Sequence, residues 1–165
     1  MTTLQDLGRP RARAFGVTTG GAMDQFALIA GNRLVGNPPN AAALELTLMG
    51  PSLVARAETL IAITGADLGA QINGEAVPLW TSTSLHAGDV LTFASRRRGI
   101  RAYVAVAGGF EGDQWLDSRS TDLLVGRGGF EGRTLISGDV LRVSNPTSRG
   151  VPGRHLGHPH RQGYG

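Results

Sequence analysis

Six consecutive residues hold the densest chemistry in the chain: Asp117-Ser118-Arg119-Ser120-Thr121-Asp122. An arginine fork can grip a carboxylate or a bicarbonate-like group through two parallel hydrogen bonds. Hydroxyls from Ser118, Ser120 and Thr121 would orient such a group. The same residue types also build a capped polar turn, because Ser, Thr and Asp bond to nearby backbone, and residue types alone leave both readings open. Gly126-Arg127-Gly128-Gly129 follows closely and reads either as a second anion-facing turn or as a flexible loop. Gly20-Gly21-Ala22-Met23-Asp24 is another candidate. There, two glycines turn the backbone sharply into a helix, and free N–H groups would face a bound anion or carbonyl. Asp67 stands in the middle of a tight connection, Gly65-Ala66-Asp67-Leu68-Gly69.

Several chemistries are excluded by what is missing. All 16 basic residues are arginine, which rules out a phosphate-loop lysine, a Schiff base and a biotin-carrying lysine on this chain. Without cysteine there is no thiol nucleophile and no thiolate metal site. No Gly-x-Ser-x-Gly elbow occurs, and His86 is the only histidine before the C-terminal stretch, so a Ser/His/Asp triad is not expected. His155, His158 and His160 cluster near the end, but their segment offers no frame for a metal, and no metal site is expected. The formal charge of +3 does not point to nucleic acid. Arg149, Arg154 and Arg161 follow Val143 and none of the 13 acidic residues does, so residues 1–143 are neutral. No apolar run is long enough to span a membrane and the N-terminus lacks a secretion pattern, so a cytoplasmic location is expected.

The elements that would position these residues are mostly short strands. The exception is a helix within residues 20–37, where Met23, Phe26, Ala27, Ala30 and Leu34 form one apolar stripe. Asp24 suits its first turn, Gly36 and Asn37 suit its end, and Pro38-Pro39 forbid continuation. After the helix the period changes to two. Strands are expected near residues 44–48, 52–55, 60–64, 70–72, 76–79, 82–85, 90–93, 102–107, 135–137 and 140–143. Asn73-Gly74 marks a type I′ hairpin. Strands 82–85 and 90–93 are expected to pair around Ala87-Gly88-Asp89. The stretch from Leu85 to Phe93 is echoed from Leu135 to Val143, one turn type used twice. Many short strands and one helix indicate a mainly β fold, a rolled β-barrel with the helix plugging one end. Residues 144–165 lack periodicity and are expected to form a disordered tail.

One ordered set of motifs carries a resemblance. Leu4-Gln5-Asp6-Leu7-Gly8-Arg9, Gly21-Ala22-Met23-Asp24, Leu34-Val35-Gly36-Asn37, Leu44-Glu45, Ala62-Ile63-Thr64-Gly65-Ala66-Asp67, Ala102-Tyr103-Val104-Ala105-Val106-Ala107-Gly108-Gly109, Ser118-Arg119-Ser120-Thr121 and Gly128-Gly129-Phe130-Glu131-Gly132-Arg133 stand in series. This set resembles the biotin-dependent carboxyltransferase family, also called allophanate hydrolase subunit 2 or the Kip antagonist family, which includes the C subunit of 5-oxoprolinase. The resemblance covers residues 2–143 and implies the N-terminal half of such a domain, so the chain reads as a fragment. It implies a cyclophilin-like barrel and a companion Kip-inhibitor-like (allophanate hydrolase subunit 1) protein, with a further 5-oxoprolinase subunit. ATP would be handled by a partner, and biotin, where used, carried by another chain. The implied function is a component of an ATP-dependent amidohydrolase or biotin-dependent carboxyltransferase complex. The other readings are a regulatory module that antagonises a kinase-inhibitor-like partner, and a non-functional fragment. The expected catalytic residues are Asp24, Asp67 and Arg119, with Gly21, Ser118, Ser120 and Thr121 binding substrate.

Overall fold

Alternation along the strands decides which side chains meet. The computed structural model describes residues 1–145 and 150–157. Strands β1 (Thr2–Gln5), β2 (Ala43–Thr47), β4 (Thr59–Asp67), β7 (Ser82–Leu85) and β9 (Arg98–Val106) form one antiparallel sheet in the order β1-β2-β9-β4-β7. Leu44, Leu46, Ile61, Ile63, Val104 and Val106 project from one face into the main core. Ala43, Leu60, Ala62, Tyr103 and Ala105, one residue out of phase, project from the other. The first face packs against a second sheet, β3 (Leu53–Val54), β8 (Val90–Phe93), β5 (Ala70–Ile72) and β6 (Glu75–Ala76), through Leu53, Ala70, Ile72, Leu91 and Phe93.

The second face carries the helix α1 (Gln25–Leu34). Ala27, Leu28, Ala30 and Leu34 bury against it. Gly31 lets the helix approach closely, since a Cβ there would lie 3.0 Å from Thr64 Oγ1 and 3.3 Å from the Ala105 Cβ. The Thr64 hydroxyl donates to the Ala27 carbonyl at 2.7 Å, tying helix to sheet. Beyond the helix, Asn37 donates to the Val106 carbonyl and accepts from Gly108 N–H, which pins the turn to the end of β9.

The mainly β fold with one principal helix is as expected, and β4 and β9 are central as their apolar runs predict. The rolled sheet, however, is two open sheets, and the helix covers a sheet face instead of plugging an end. Met23 and Phe26 leave the predicted stripe for solvent, at 73% and 47% exposure, because Met23 precedes the helix and Leu28 fills the buried position. Strands 82–85 and 90–93 do not pair with each other. The chain leaves β7 in one sheet and enters β8 in the other, and each strand pairs elsewhere. Residues 135–137 and 140–143 form no strand; Leu135 N–H reaches only the Thr2 carbonyl, and Val143 makes a single bridge to Phe110. Strand β1 was not expected, because four residues carry no legible period.

The repeated turn is real. Asn73 (φ 52°) and Gly74 (φ 88°) make the predicted hairpin between β5 and β6. At the echoed turns, Asp89 accepts from His86 N–H and Asp139 from Ile136 N–H, both at 2.8 Å. The His86 N–H, aided by Asn73, holds the Asp89 carboxyl below its ordinary range; Arg133, then Ile136 N–H, does the same for Asp139. A carboxyl with a lowered folded pKa contributes stability above its unfolded value, lost as pH falls through the folded one. Carbon-detected titration should therefore place both midpoints below about 3.9, the unperturbed Asp value. A midpoint at or above that value would contradict the turn geometry.

Residues 150–157 differ from the expected tail. The Ser82 hydroxyl donates to the Val151 carbonyl at 2.8 Å, Ser82 N–H donates to the Arg154 carbonyl and Leu156 N–H to that of Trp80. This segment continues the sheet beside β7, with Leu156 packed on the helix-side core and Gly150 against Val35 and Leu60. His155 bridges Thr81; His158 and His160 lie outside the described residues. No helix among the described residues is long and apolar enough to cross a membrane.

Candidate functional site

The predicted cluster at 117–122 folds around a residue from the other end of the chain. Asp6 Oδ1 accepts from Ser118 Oγ at 2.7 Å, Ser120 Oγ at 2.6 Å and Gly8 N–H at 2.7 Å, while Oδ2 accepts from Arg119 N–H at 2.6 Å. The Ser120 hydroxyl in turn accepts from Asp6 N–H, and the Ser118 hydroxyl from Ser120 N–H. Thr121 Oγ1 donates to the Leu4 carbonyl, which fastens the cluster to β1 just before that strand ends. Ser118, Ser120, Thr121 and Asp6 are all buried. Their hydroxyls are therefore turned inward to the Asp6 carboxylate and the backbone, the capped-turn reading of this stretch. The Arg119 side chain is exposed and makes no hydrogen bond or ion pair among the described residues, while its own N–H is anchored to Asp6.

Arg9 locks the same loops from below. It is 1% exposed, its Nη1 lies 3.3 Å from Asp122 Oδ2, and its Nη2 donates to the Ser120 carbonyl at 2.5 Å. The guanidinium lies 4.6 Å from the centre of the Trp115 ring, a cation–π contact. Asp122 also accepts from Thr18 Oγ1 and from Leu124 N–H, which caps the turn leading to Arg127. The loop at 126–129 is thus held in place: Gly128 packs on the Ser120 carbonyl and Gly129 on Thr121, where no Cβ fits.

The lead-in to the helix is also fully engaged. Ala22 N–H donates to the Asp6 carbonyl, Met23 N–H to Glu45 Oε2 and Asp24 N–H to the Tyr103 hydroxyl. These three N–H groups are not available to an anion, contrary to expectation. Gly21 (φ 93°) is required for contact with Gly8, whose N would lie 2.8 Å from a Cβ at 21. The Asp24 carboxylate caps the helix by accepting from Ala27 N–H at 3.0 Å. Beneath it, Tyr103 Oη donates to Glu45 Oε2 at 2.6 Å, and Arg101 Nε lies 3.3 Å from Glu45 Oε1 as an ion pair without hydrogen-bond geometry. Burial, then the Glu45 hydrogen bond, pushes the Tyr103 phenol far above its ordinary value, so it stays a donor.

Asp67 belongs to a separate cleft. The β4–β9 register shifts between Gly65 and Asp67, a bulge beyond which the strands pair once more, at Asp67 and Arg98. Asp67 Oδ1 accepts from Gly69 N–H at 2.8 Å, an Asp-x-Gly turn like that of Asp6 and Gly8. Asp67, Trp80, Thr81 and Arg98 line a cleft of about 360 Å³. Trp80 sits at φ 59°, in the left-handed region, a conformation that costs a bulky residue roughly 1–3 kcal/mol and gathers at functional sites.

The structure therefore brings Gly21, Ser118, Arg119, Ser120 and Thr121 together around Asp6. It keeps Asp67 in a cleft of its own and uses Asp24 as a helix cap. Asp6, Arg9, Glu45 and Tyr103 stand within the sequence motifs, but no role is assigned to them there. The repeated Asp-x-Gly pattern at 6–8 and 67–69 was the signal available for Asp6. Nothing in the sequence marks Arg9 as buried.

Known proteins share this sequence and geometry. The family described as carboxyltransferase domain, subdomain A and B, matches residues 15–162. The C subunit of 5-oxoprolinase from Escherichia coli is 44% identical over 144 residues, covering 86% of this chain and 46% of that protein. Its counterpart from Haemophilus influenzae is 41% identical over 143 residues, again covering 46% of its length. Urea amidolyase of Lachancea kluyveri is 39% identical over 155 residues, 92% of this chain but 8% of that one. The crystal structure of K. lactis urea amidolyase superposes with a TM-score of 0.85 at 34% identity, covering 94% of this chain and 10% of that one. The chain spans less than half the length of each of these relatives. A mainly β fold of this topology, matched across nearly all of its length, belongs to the carboxyltransferase domain family, subdomain A and B.

Proposed function

We propose that the chain is the N-terminal half of a carboxyltransferase-type domain, residues 1–143, and works as the substrate-facing component of an ATP-dependent amidohydrolase complex, most like the C subunit of 5-oxoprolinase. The observation that carries this reading is Arg119. Its backbone is fixed by Asp6 while its guanidinium has no partner among the described residues and stands in solvent. With its backbone already placed, gripping a carboxylate has only the side chain left to order, which costs about 0.5–1.5 kcal/mol. Ser118, Ser120, Thr121 and Gly21 then act as positioning residues that hold the shelf under Arg119. Asp67, half-buried in its separate cleft, is the candidate base of that cleft and does not share the Arg119 shelf.

This chain offers no residue to carry biotin and no phosphate cradle at its helix lead-in: it has no lysine, and the N–H groups of Ala22, Met23 and Asp24 are already bonded. Both groups are assigned to other chains of the complex, ATP to a partner and biotin, where it is used, to a carrier. The companion is a Kip-inhibitor-like subunit, and the assembly is cytoplasmic.

Co-expression with the companion subunits, followed by an assay of ATP-dependent 5-oxoproline cleavage, tests the reading. Arg119→Ala should lower kcat/KM about 10- to 100-fold, the value of one charge-assisted hydrogen bond pair, with no change in thermal midpoint. Asp67→Asn retains an acceptor for Gly69 N–H and should lower kcat. Full activity in Arg119→Ala removes the residue assignment. A second reading, a regulatory module, draws on the exposed Leu123, Leu124 and Val125 at the tip of the Asp122-capped turn. Tight binding to the inhibitor-like partner without turnover would favour it.

A further inference from the structure

The segments 113–115 and 126–132 enclose a second cleft, of about 420 Å³, which none of the roles above uses. That volume lies in the range of small-molecule sites. Its walls are built before any ligand arrives. Asp113 N–H donates to the Gly129 carbonyl at 2.7 Å, and Gly129 N–H returns a bond to the Asp113 carbonyl at 3.1 Å. Gly132 N–H donates to the Gly128 carbonyl, and Gly132 packs so tightly on Gly126 that a Cβ would overlap it. Trp115 is steadied by the buried Arg9 guanidinium. Rigid walls reduce the ordering cost of binding.

The charges in this cleft are unusual in what they leave undone. Glu131 is engaged by Arg133, at 2.8 and 3.0 Å. Asp113 and Arg127 also line the cleft, yet neither side chain forms an ion pair with the other or with any other described residue. Unpaired charges are ordinary on an open surface, but here one of each sign meets in a preformed cleft beside an indole. A plain anion would be drawn to Arg127 and repelled by Asp113 and Glu131. A plain cation would meet the reverse. A ligand carrying both charges at separate ends satisfies both residues at once.

We propose that this cleft binds a small zwitterion, with Arg127 taking its carboxylate, Asp113 its ammonium group, and Trp115 packing on the carbons between them. This site is independent of Arg119 and Asp67, so its failure would leave the proposed function untouched. The probes are glycine, β-alanine and 4-aminobutyrate, a series of increasing charge separation, with propionate and propylammonium as half-ligands. The readout is the Trp115 indole N–H resonance in the full chain, assigned by Trp115→Phe. At least one zwitterion should shift it saturably, with a dissociation constant on the order of 1 mM. Each half-ligand should bind about tenfold more weakly or worse, and Arg127→Gln and Asp113→Asn should each weaken the zwitterion about tenfold. Both side chains are exposed and unpartnered among the described residues, so neither variant should disturb the rest of the spectrum. No saturable shift at about 20 mM of any zwitterion, or propionate binding as well as the zwitterions, overturns the proposal.

Discussion

Asp6→Ala should destabilise the protein by about 3–5 kcal/mol, enough to lower the thermal midpoint by about 10 °C in a domain of this size. The substitution removes one carboxylate and strands four donors: Gly8 N–H, Arg119 N–H and the hydroxyls of Ser118 and Ser120. Each buried donor left without an acceptor costs roughly 1–3 kcal/mol, and the costs are not additive because the hydroxyls can turn. Asp6→Asn separates charge from geometry. Its oxygen can still serve the three donors on the Oδ1 side, while its amide would face Arg119 N–H, donor against donor. It should therefore fall between wild type and Asp6→Ala. Urea unfolding of the three proteins measures this directly. A loss under about 1 kcal/mol in Asp6→Ala would mean that water replaces the carboxylate and that the loop is not built around it.

Arg9→Met should cost a similar amount, about 3–5 kcal/mol, because it leaves Asp122 buried without its cation. The pair is unusual in depth, at 0% and 8% side-chain exposure. The same change removes the donor to the Ser120 carbonyl and the guanidinium stacked on Trp115. The double variant Arg9→Met with Asp122→Asn should recover part of the loss, since no buried charge then stands alone. An Arg9→Met protein as stable as wild type, or a double variant equal to the sum of its singles, would show that the ion pair is not coupled. Trp115 fluorescence adds a local reading, because its environment changes with Arg9 even if global stability does not.

Strand and helix assignments were legible wherever pattern is local. The 102–107 run and the alternation at 44–48 indicated strands, and Asn73-Gly74 indicated its turn, because period and turn chemistry are properties of neighbouring residues. Asp24 was legible as belonging to the helix start for the same reason, although it caps the helix instead of lying in its first turn. Partnering was not legible. Residues 82–85 and 90–93 look like a hairpin, yet the chain changes sheet between them, and only the competing partners β4 and β5 decide that. Residues 150–157 look structureless by composition, but their backbone groups bond at the edge of β7, which no local pattern announces.

The residue types at 117–122, the absence of lysine and cysteine, and the ordered motif series are properties of the chain itself. They are enough to indicate a mainly β fold and its family, and to exclude lysine and thiol chemistry. Which of those six residues faces solvent is decided only by the fold. Asp6 and Arg9 lie more than 100 positions away, and their burial turns Ser118 and Ser120 inward while leaving Arg119 outside. The physical reason is satisfaction of buried polar groups. A carboxylate and a guanidinium taken out of water need every nearby donor and acceptor, so the side chains that serve them are unavailable to a ligand.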